Sequence, residues 1–140
     1  MRQLAFMLAA CLVAGSASAA SDPGRTPVTQ VYEQLILGIA AARQCPQAIE
    51  PPLTPEQTAQ VDRNLATVGA VIVRQAMAAH PDQSWMTVQA RFDRIRAGIE
   101  QRAAAQVQKL PCQSPPMAEL LALHRYHATW DATAANLQGG

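Results

Sequence analysis

The stretch SWMTVQARFDRIRAGIEQRAAAQVQKL, residues 84–110, decides the fold class of this chain. Its apolar residues recur every three or four positions, which is the spacing of one face of an α-helix. They are Trp85, Val88, Phe92, Ile95, Ile99, Ala103, Val107 and Leu110. Most of the charged residues lie away from this face, although Arg96 and Gln106 interrupt it. The stretch therefore predicts an amphipathic helix with one side in a core.

Three further segments show the same periodicity, and prolines separate all four of them. The sequence predicts helices over about 26–43, 55–79, 84–110 and 115–137. Aromatic residues make up only 4% of the chain, which also favours packed helices over a sheet. We predict an all-α fold, an up-down-up-down four-helix bundle.

The first twenty residues, MRQLAFMLAACLVAGSASAA, have the pattern of a secretory signal peptide. A lipoprotein box at residues 8–11 is an alternative, but the apolar run ahead of it is too short for a signal. We predict cleavage near Ala19 or Ala20, a single helical domain over 21–140, and a location in the periplasm or outside the cell. Beyond the signal, no segment is long and apolar enough to span a bilayer, so no membrane insertion is expected after cleavage.

Two cysteines, Cys45 and Cys112, remain once Cys11 leaves with the signal peptide. Two cysteines in an exported chain predict one disulfide. Cys45 follows the first predicted helix and Cys112 follows the third. In an up-down-up-down bundle those two ends lie at the same end of the molecule, so the fold and the Cys45–Cys112 bond are compatible.

The balance of charge excludes some classes of partner. The chain has 11 basic and 10 acidic side chains, and loss of Arg2 with the signal leaves 10 of each. Nucleic acid and anionic lipid both need a cationic surface, so neither is expected as the partner. Another protein, or a second copy of this chain, is the partner that we expect.

A candidate metal site lies in the fourth predicted helix, within LALHRYHATWD, residues 121–131. His124 and His127 are three positions apart and Asp131 follows four later, a spacing that can hold Zn²⁺ or Cu²⁺ if another element adds a ligand. His80 is predicted to lie too far away for this. His127 is predicted to lie on the apolar stripe, and His124 and Asp131 at its edge, so the ordinary interpretation is polar groups at a helix edge. A pH-sensitive partner surface is a further alternative.

Arginines of the third predicted helix form a second candidate site. A solvated helix face explains most of them, but Arg96 projects on the apolar side and needs a partner. Its functional interpretation is a contact with an anion or an acidic partner, of the kind that inward arginines make with carboxylate substrates in some small exported helical enzymes. Arg43, at the edge of the first helix's apolar stripe, could contribute.

Some apolar residues project outside the main helical stripes and are candidates for a second interface, such as a homodimer interface. They are Leu37, Val71, Val73 and Met77. No motif for haem attachment, a zinc protease, a serine nucleophile or a phosphate loop is present. We therefore expect neither a cofactor nor an enzyme.

The short stretch LTPEQ, residues 53–57, resembles the LTxxQ motif of small periplasmic stress chaperones of the Spy and CpxP kind. That family has two such motifs and this chain has one copy, which a helix-capping box with Thr54 and Gln57 also explains. No site residue is carried over from the resemblance. The sequence predicts a small exported protein that binds another protein, as an accessory subunit, inhibitor, immunity protein or chaperone. The alternative is a metal- or small-ligand-binding protein that uses His124, His127 and Asp131.

Overall fold

The computed structural model describes residues 27–133 and Leu137. Four α-helices lie in this part of the chain, and no strand does. They are α1 (Val28–Gln44), α2 (Pro55–Ala79), α3 (Trp85–Gln108) and α4 (Pro115–Thr129), with a 3-10 helix at Pro46–Ala48. The predicted all-α class is confirmed, while the predicted signal peptide lies outside the described residues. None of the described helices has both the length and the hydropathy to cross a membrane.

Side-chain caps determine where α2, α3 and α4 begin. The Gln57 backbone N–H donates to the Thr54 hydroxyl at 3.2 Å, and the Thr54 backbone N–H donates to the Gln57 side chain at 2.9 Å. This is the capping box that the sequence predicts. Ser84 caps α3 and Ser114 caps α4, each by accepting from the backbone N–H three residues later.

α1 is the central helix, because it packs against α2, α3 and α4. α2 also packs against α3 and α4, whereas α3 and α4 make little contact with each other. The bundle is therefore closed on the side of α2 and open between α3 and α4. This opening determines which part of α3 is left uncovered.

The disulfide shows that α1 and α3 run in the same direction. Tyr32, early in α1, meets the ring of Phe92 in the first half of α3, with the ring centroids 5.5 Å apart. Cys45 and Cys112, which follow these two helices, form the predicted disulfide, and their Cα atoms are 5.6 Å apart. With α2 and α4 running the opposite way, the helices form the predicted up-down-up-down bundle stapled by one bond.

Two clusters of buried apolar residues make up the core. The larger one contains Val28, Tyr32, Leu35, Ile36, Val61, Val68, Ala103, Ala128, Ala132 and Leu137. The smaller one surrounds the disulfide and contains Ala41, Cys45, Val107, Met117 and Leu121. Trp85 and Ile95, which the sequence places on the core face of α3, are 59% and 53% exposed. That expectation is corrected, because none of the described helices covers these two side chains.

Glycines let neighbouring helices approach α1 and α2 closely. A Cβ atom placed on Gly38 of α1 would lie 3.1 Å from the Cβ and 3.2 Å from the Cα of His124. A Cβ atom on Gly69 of α2 would lie 3.2 Å from Phe92 and 3.3 Å from Tyr32. Close approach of helices therefore explains both of these glycines.

α4 ends at Thr129, several residues before the predicted end near residue 137. Trp130 has φ −85° and ψ 150°, so the backbone is extended there. The Thr129 hydroxyl donates to the Tyr126 carbonyl at 2.9 Å. Leu137, one of the apolar residues that suggested a longer helix, is buried together with Ala132, although the backbone is already extended at Trp130.

Candidate functional site

His124 and His127 lie inside the bundle and not at a polar edge of α4. They are 6% and 3% exposed. The backbone of α1 at Gly38 covers His124, and the ring of His127 lies 5.6 Å from that of Tyr126 and 5.9 Å from that of Trp130, between centroids. The expectation of an edge position for His124 is corrected, since the missing side chain at Gly38 allows α1 to pack directly on it.

Burial keeps both imidazoles neutral. The Nδ1 atom of each ring is buried and forms no hydrogen bond within the described part of the chain. Burial, assisted by the neighbouring His124, lowers the pKa of His127 to about 4. Burial also lowers the pKa of His124; the positive charge of Arg125 acts in the same direction, and Asp62 opposes it.

The metal hypothesis would require Asp131 to continue the face of α4 that carries the histidines. α4 ends two residues earlier, at Thr129, and Asp131 has an exposed side chain in the segment that follows. In residues 27–133 and 137, no group of three His, Cys, Asp or Glu side chains is arranged to hold a metal ion. His80 is the exposed C-cap of α2. Titration of the purified protein with Zn²⁺ is the direct test of this alternative.

The candidate interface residues lie in different surroundings. Val73 is only 7% exposed, and it lines the cleft between α2 and α3. Val71 and Met77 are half-buried on α2. Leu37 is half-buried on α1 and lines a small groove between α1 and α3, opposite Ile99. The structure therefore does not bring the four residues together into one surface.

A cleft between α1, α2 and α3 brings together the two arginines that the sequence analysis singled out. It has a volume of about 540 Å³. Arg43 reaches it from the end of α1, and Arg96 from the middle of α3. Apolar side chains of all three helices, including Ile36, Leu65 and Val107, line the rest of it.

Arg96 is held in this cleft by an ion pair. Its Nε atom donates to Glu100 Oε1 at 2.8 Å, across one turn of α3, and the two side chains are 46% and 48% exposed. The hydrogen bond to Glu100 raises the pKa of Arg96 further, so the guanidinium is always charged. Burial raises the pKa of Tyr32, against the opposing effect of Arg96. Asp62 of α2 also lines the cleft.

The cleft continues into a second one along α2 and α3. This neighbouring cleft, of about 410 Å³, shares Asp62, Leu65 and Arg96 with the first and extends past Tyr32 to Gly69. Together the two clefts form one groove that residues of α1, α2 and α3 line. Arg96 lies at the junction of its two halves.

The α3 flank is a second exposed surface, which we define as Arg91, Ile95, Ile99 and Arg102. Ile95 is mainly exposed and Ile99 is half-buried. Arg91 lies one helical turn before Ile95 and Arg102 two turns after it, on the same side of α3. The flank borders the groove that Leu37 of α1 lines, so apolar and basic groups occur side by side.

Asn64 is the structurally decisive residue that the sequence analysis missed. It is 1% exposed, and its side-chain amide donates to the carbonyls of His127 and Trp130, at 2.8 Å each. Its carbonyl oxygen accepts from the Ala132 backbone N–H at 2.9 Å. These bonds replace the helical bonds that α4 loses at its end. An asparagine on the apolar stripe of α2, between Val61 and Val68, is the signal that pointed to it.

Comparison with protein-family models, with curated proteins and with solved structures gives no match for this chain.

Proposed function

We propose that this chain is an exported protein-binding module that docks an acidic amphipathic helix of another protein on the α3 flank. The observation that carries the proposal is the exposure of Ile95, at 53%, one helical turn from the groove that Leu37 and Ile99 line. Large apolar side chains grouped on one side of a helix, next to an open groove, are a common feature of helix-in-groove recognition.

The groove beside the flank supports a helical partner. α1 and α3 form its walls, and its lining combines Leu37 and Ile99 with the polar side chains of Glu33, Arg102 and Gln106. Because α3 and α4 make little contact, the described helices leave this side of α1 accessible. An apolar side chain of a partner would enter at Leu37, and further ones would pack on Ile99 and Ile95.

The charge of the flank favours an acidic partner. Arg91 and Arg102 lie beside Ile95 and are exposed. The acidic residues of α3 are engaged elsewhere, since Asp93 accepts a hydrogen bond from Gln89 at 2.9 Å and Glu100 is paired with Arg96. Complementary charge at the rim of an interface speeds association and fixes the orientation of the partner.

A second copy of the chain fits this surface less well than a different protein. A symmetric contact through the flank would place Arg91 and Arg102 of one copy near those of the other, and like charges oppose such a contact. We therefore propose a monomer that binds a different protein. Light scattering at tens of micromolar should give the mass of one chain. If the wild type is a dimer and an Ile95→Asp variant is a monomer, the partner on the α3 flank is a second copy of the chain.

The location of the proposed function is an oxidising compartment outside the cytoplasm. The Cys45–Cys112 bond is of the kind that persists there, and the pattern of residues 1–20 is that of a signal for export. In that setting the candidate roles are an accessory subunit, an inhibitor, an immunity protein and a chaperone.

The test uses a photo-crosslinking residue at position 95 in cells that produce the protein, with position 74 as the control. Arg74 is exposed on α2, away from the flank. We expect a defined adduct from position 95 alone, and at least tenfold weaker binding of the identified, purified partner by an Arg91→Glu/Arg102→Glu variant. Equal adducts from both positions, or unchanged affinity of the charge-reversed variant, would contradict the proposal.

A further inference from the structure

We infer that the cleft between α1, α2 and α3 binds a small carboxylate that carries an apolar body, held by Arg43 and Arg96. This site is separate from the α3 flank, because it opens on the side of α3 that faces α2. The inference goes beyond the proposed protein-binding function and does not depend on it.

The dimensions and the lining of the cleft suit a small amphipathic molecule. Its volume of about 540 Å³ falls within the range of roughly 300 to 1,000 Å³ that is usual for ligand sites. Each helix supplies one large apolar side chain to the cleft: Ile36 from α1, Leu65 from α2 and Val107 from α3. A few charged groups within an apolar lining are the arrangement that orients such a ligand.

The two guanidinium groups favour an anionic ligand, although the carboxylates of Asp62 and Glu100 also line the cleft. Arg43 and Arg96 come from different helices, and the fold brings both to the lining of one cleft. The ion pair with Glu100 uses the Nε–H of Arg96, which leaves the N–H groups of both Nη atoms for an anion. A planar guanidinium binds a carboxylate through two parallel hydrogen bonds, which favours a carboxylate over a neutral polar group.

Asp62 limits where that carboxylate can lie. It lines the cleft from α2, and Glu100 lines it from α3, so both charges repel an anion and favour a position of the carboxylate near Arg43 and the Nη atoms of Arg96. The apolar body of the ligand then extends past Leu65 towards the neighbouring cleft. Removal of the Asp62 charge should therefore strengthen binding, whereas removal of the Arg96 charge should weaken it.

The test is an NMR titration of the purified protein with 4-phenylbutyrate and, in parallel, with its neutral amide 4-phenylbutyramide. We expect the carboxylate to shift backbone signals of residues that line the cleft, such as Ala40 and Ala104. Its Kd should be on the order of 1 mM, which is the affinity expected for a ligand of this size. The amide should bind about tenfold more weakly, because it lacks the charge-assisted hydrogen bonds.

Variants locate the binding to the arginines. We expect Arg96→Gln to weaken binding about tenfold and Arg43→Gln to weaken it in the same direction, whereas Asp62→Asn should tighten it. Arg94→Gln is the matched control, because Arg94 lies on the same helix but outside the cleft. Circular dichroism checks that each variant keeps its helices.

Several results would overturn the inference. These are no saturable shift with 4-phenylbutyrate up to about 10 mM, equal affinity for the amide, or an Arg96→Gln variant that binds like wild type. Shifts confined to residues outside the cleft would also overturn it.

Discussion

Among the described residues, three polar side chains are buried in the core, and they are accommodated in different ways. Asn64 has hydrogen-bond partners for both ends of its amide. His124 and His127 each keep a buried Nδ1 atom without a partner in the described residues. An unpaired buried polar atom costs about 1 to 3 kcal/mol, and a buried charge costs more. The two rings are therefore tolerated as neutral groups and not as imidazolium ions.

This neutrality predicts that acid destabilises the protein. Between about pH 6.5 and pH 4, the imidazole of residue 127 binds a proton in the unfolded chain, whereas folded His127, with its pKa lowered to about 4, does not. Protons therefore favour unfolding in this window, and we expect the free energy of unfolding to fall by about 2 kcal/mol on acidification. Above pH 6.5 the imidazole is neutral in both the folded and the unfolded chain, so none of this stability is lost there.

A comparison with His127→Phe isolates this effect. The variant keeps an aromatic ring next to Trp130 and has no group that titrates at position 127. The wild type and the variant share every other ionisable group near this position, including the carboxylate of Asp62, the guanidinium of Arg125 and the imidazole of His124. Urea unfolding at pH 7 and pH 4.5 should show a smaller loss of stability in the variant, and an identical loss would show that His127 does not carry the acid sensitivity.

The contact between Gly38 and His124 predicts that replacing this glycine by alanine lowers the stability of the protein, which is the opposite of the usual effect in a helix. Alanine normally stabilises a helix by about 1 kcal/mol relative to glycine. At position 38 its Cβ would lie 3.1 to 3.2 Å from the Cβ and Cα atoms of His124, so α4 would have to move. We expect Gly38→Ala to destabilise the protein by about 1 to 2 kcal/mol.

Gly98→Ala is the matched control for that prediction. A Cβ atom there would meet only the flexible end of the Arg102 side chain, at 3.4 Å. Thermal unfolding should show a higher Tm for Gly98→Ala, through a gain of up to about 1 kcal/mol, and a lower Tm for Gly38→Ala. Changes of the same sign in both variants would mean that the close approach at Gly38 is not the cause.

At the level of the helices, the end of α4 depends on a side chain of α2. Asn64 binds the carbonyls of His127 and Trp130 and the N–H of Ala132, and Gln60 adds a bond to the Trp130 carbonyl at 3.2 Å. The last turn of a helix leaves carbonyl groups without partners inside the helix. In this protein a neighbouring helix supplies those partners, so α4 can stop inside the core.

Asn64→Ala should therefore destabilise the protein more than an ordinary surface substitution. It would leave the His127 carbonyl and the Ala132 N–H without the partner that Asn64 supplies, while the Trp130 carbonyl keeps its bond from Gln60, and we expect a loss of about 2 to 4 kcal/mol. Gln60→Ala, the control, removes contacts of a half-exposed side chain and should cost less than about 1 kcal/mol. Hydrogen exchange at the Ala132 amide should speed up in Asn64→Ala, and unchanged exchange there would contradict this role of Asn64.

For the whole molecule, the opening between α3 and α4 leaves α3 with two accessible sides. The α3 flank faces away from α2, and the cleft with Arg43 and Arg96 faces towards it. Only Val88, Ala103 and Val107 of α3 are buried. The end of α3 is nonetheless held firmly, because Cys112 ties it to the end of α1 next to the smaller core cluster.

The disulfide should account for a large share of the stability. It links positions 67 residues apart, and a loop of that length corresponds to about 4 kcal/mol in the chain-entropy treatment. We expect a Cys45→Ala/Cys112→Ala variant to lose about 2 to 4 kcal/mol in urea unfolding; alanine avoids placing a hydroxyl at the buried position 45. Mass spectrometry under non-reducing conditions should find no free thiol at these two positions in the wild type. A loss below about 1 kcal/mol would show that the bond constrains the unfolded chain only weakly.

The four helices, the start points of α2, α3 and α4, and the disulfide could all be predicted from the sequence. Helix formation and capping depend on residues within three or four positions of one another, as in the Thr54–Gln57 pair. The order of residues along the chain is therefore enough to predict them. The Cys45–Cys112 bond could be predicted because only one pairing was open and the topology permitted it.

Only the tertiary structure decided where α4 ends, that His124 is buried, and that Arg43 and Arg96 share a cleft. Each of these features depends on which helices become neighbours and how closely they approach. Periodicity defines an apolar side for each helix, but it does not say which part of that side another helix will cover. For that reason Trp85 and Ile95, which fit the core pattern of α3, remain exposed where no described helix packs against them.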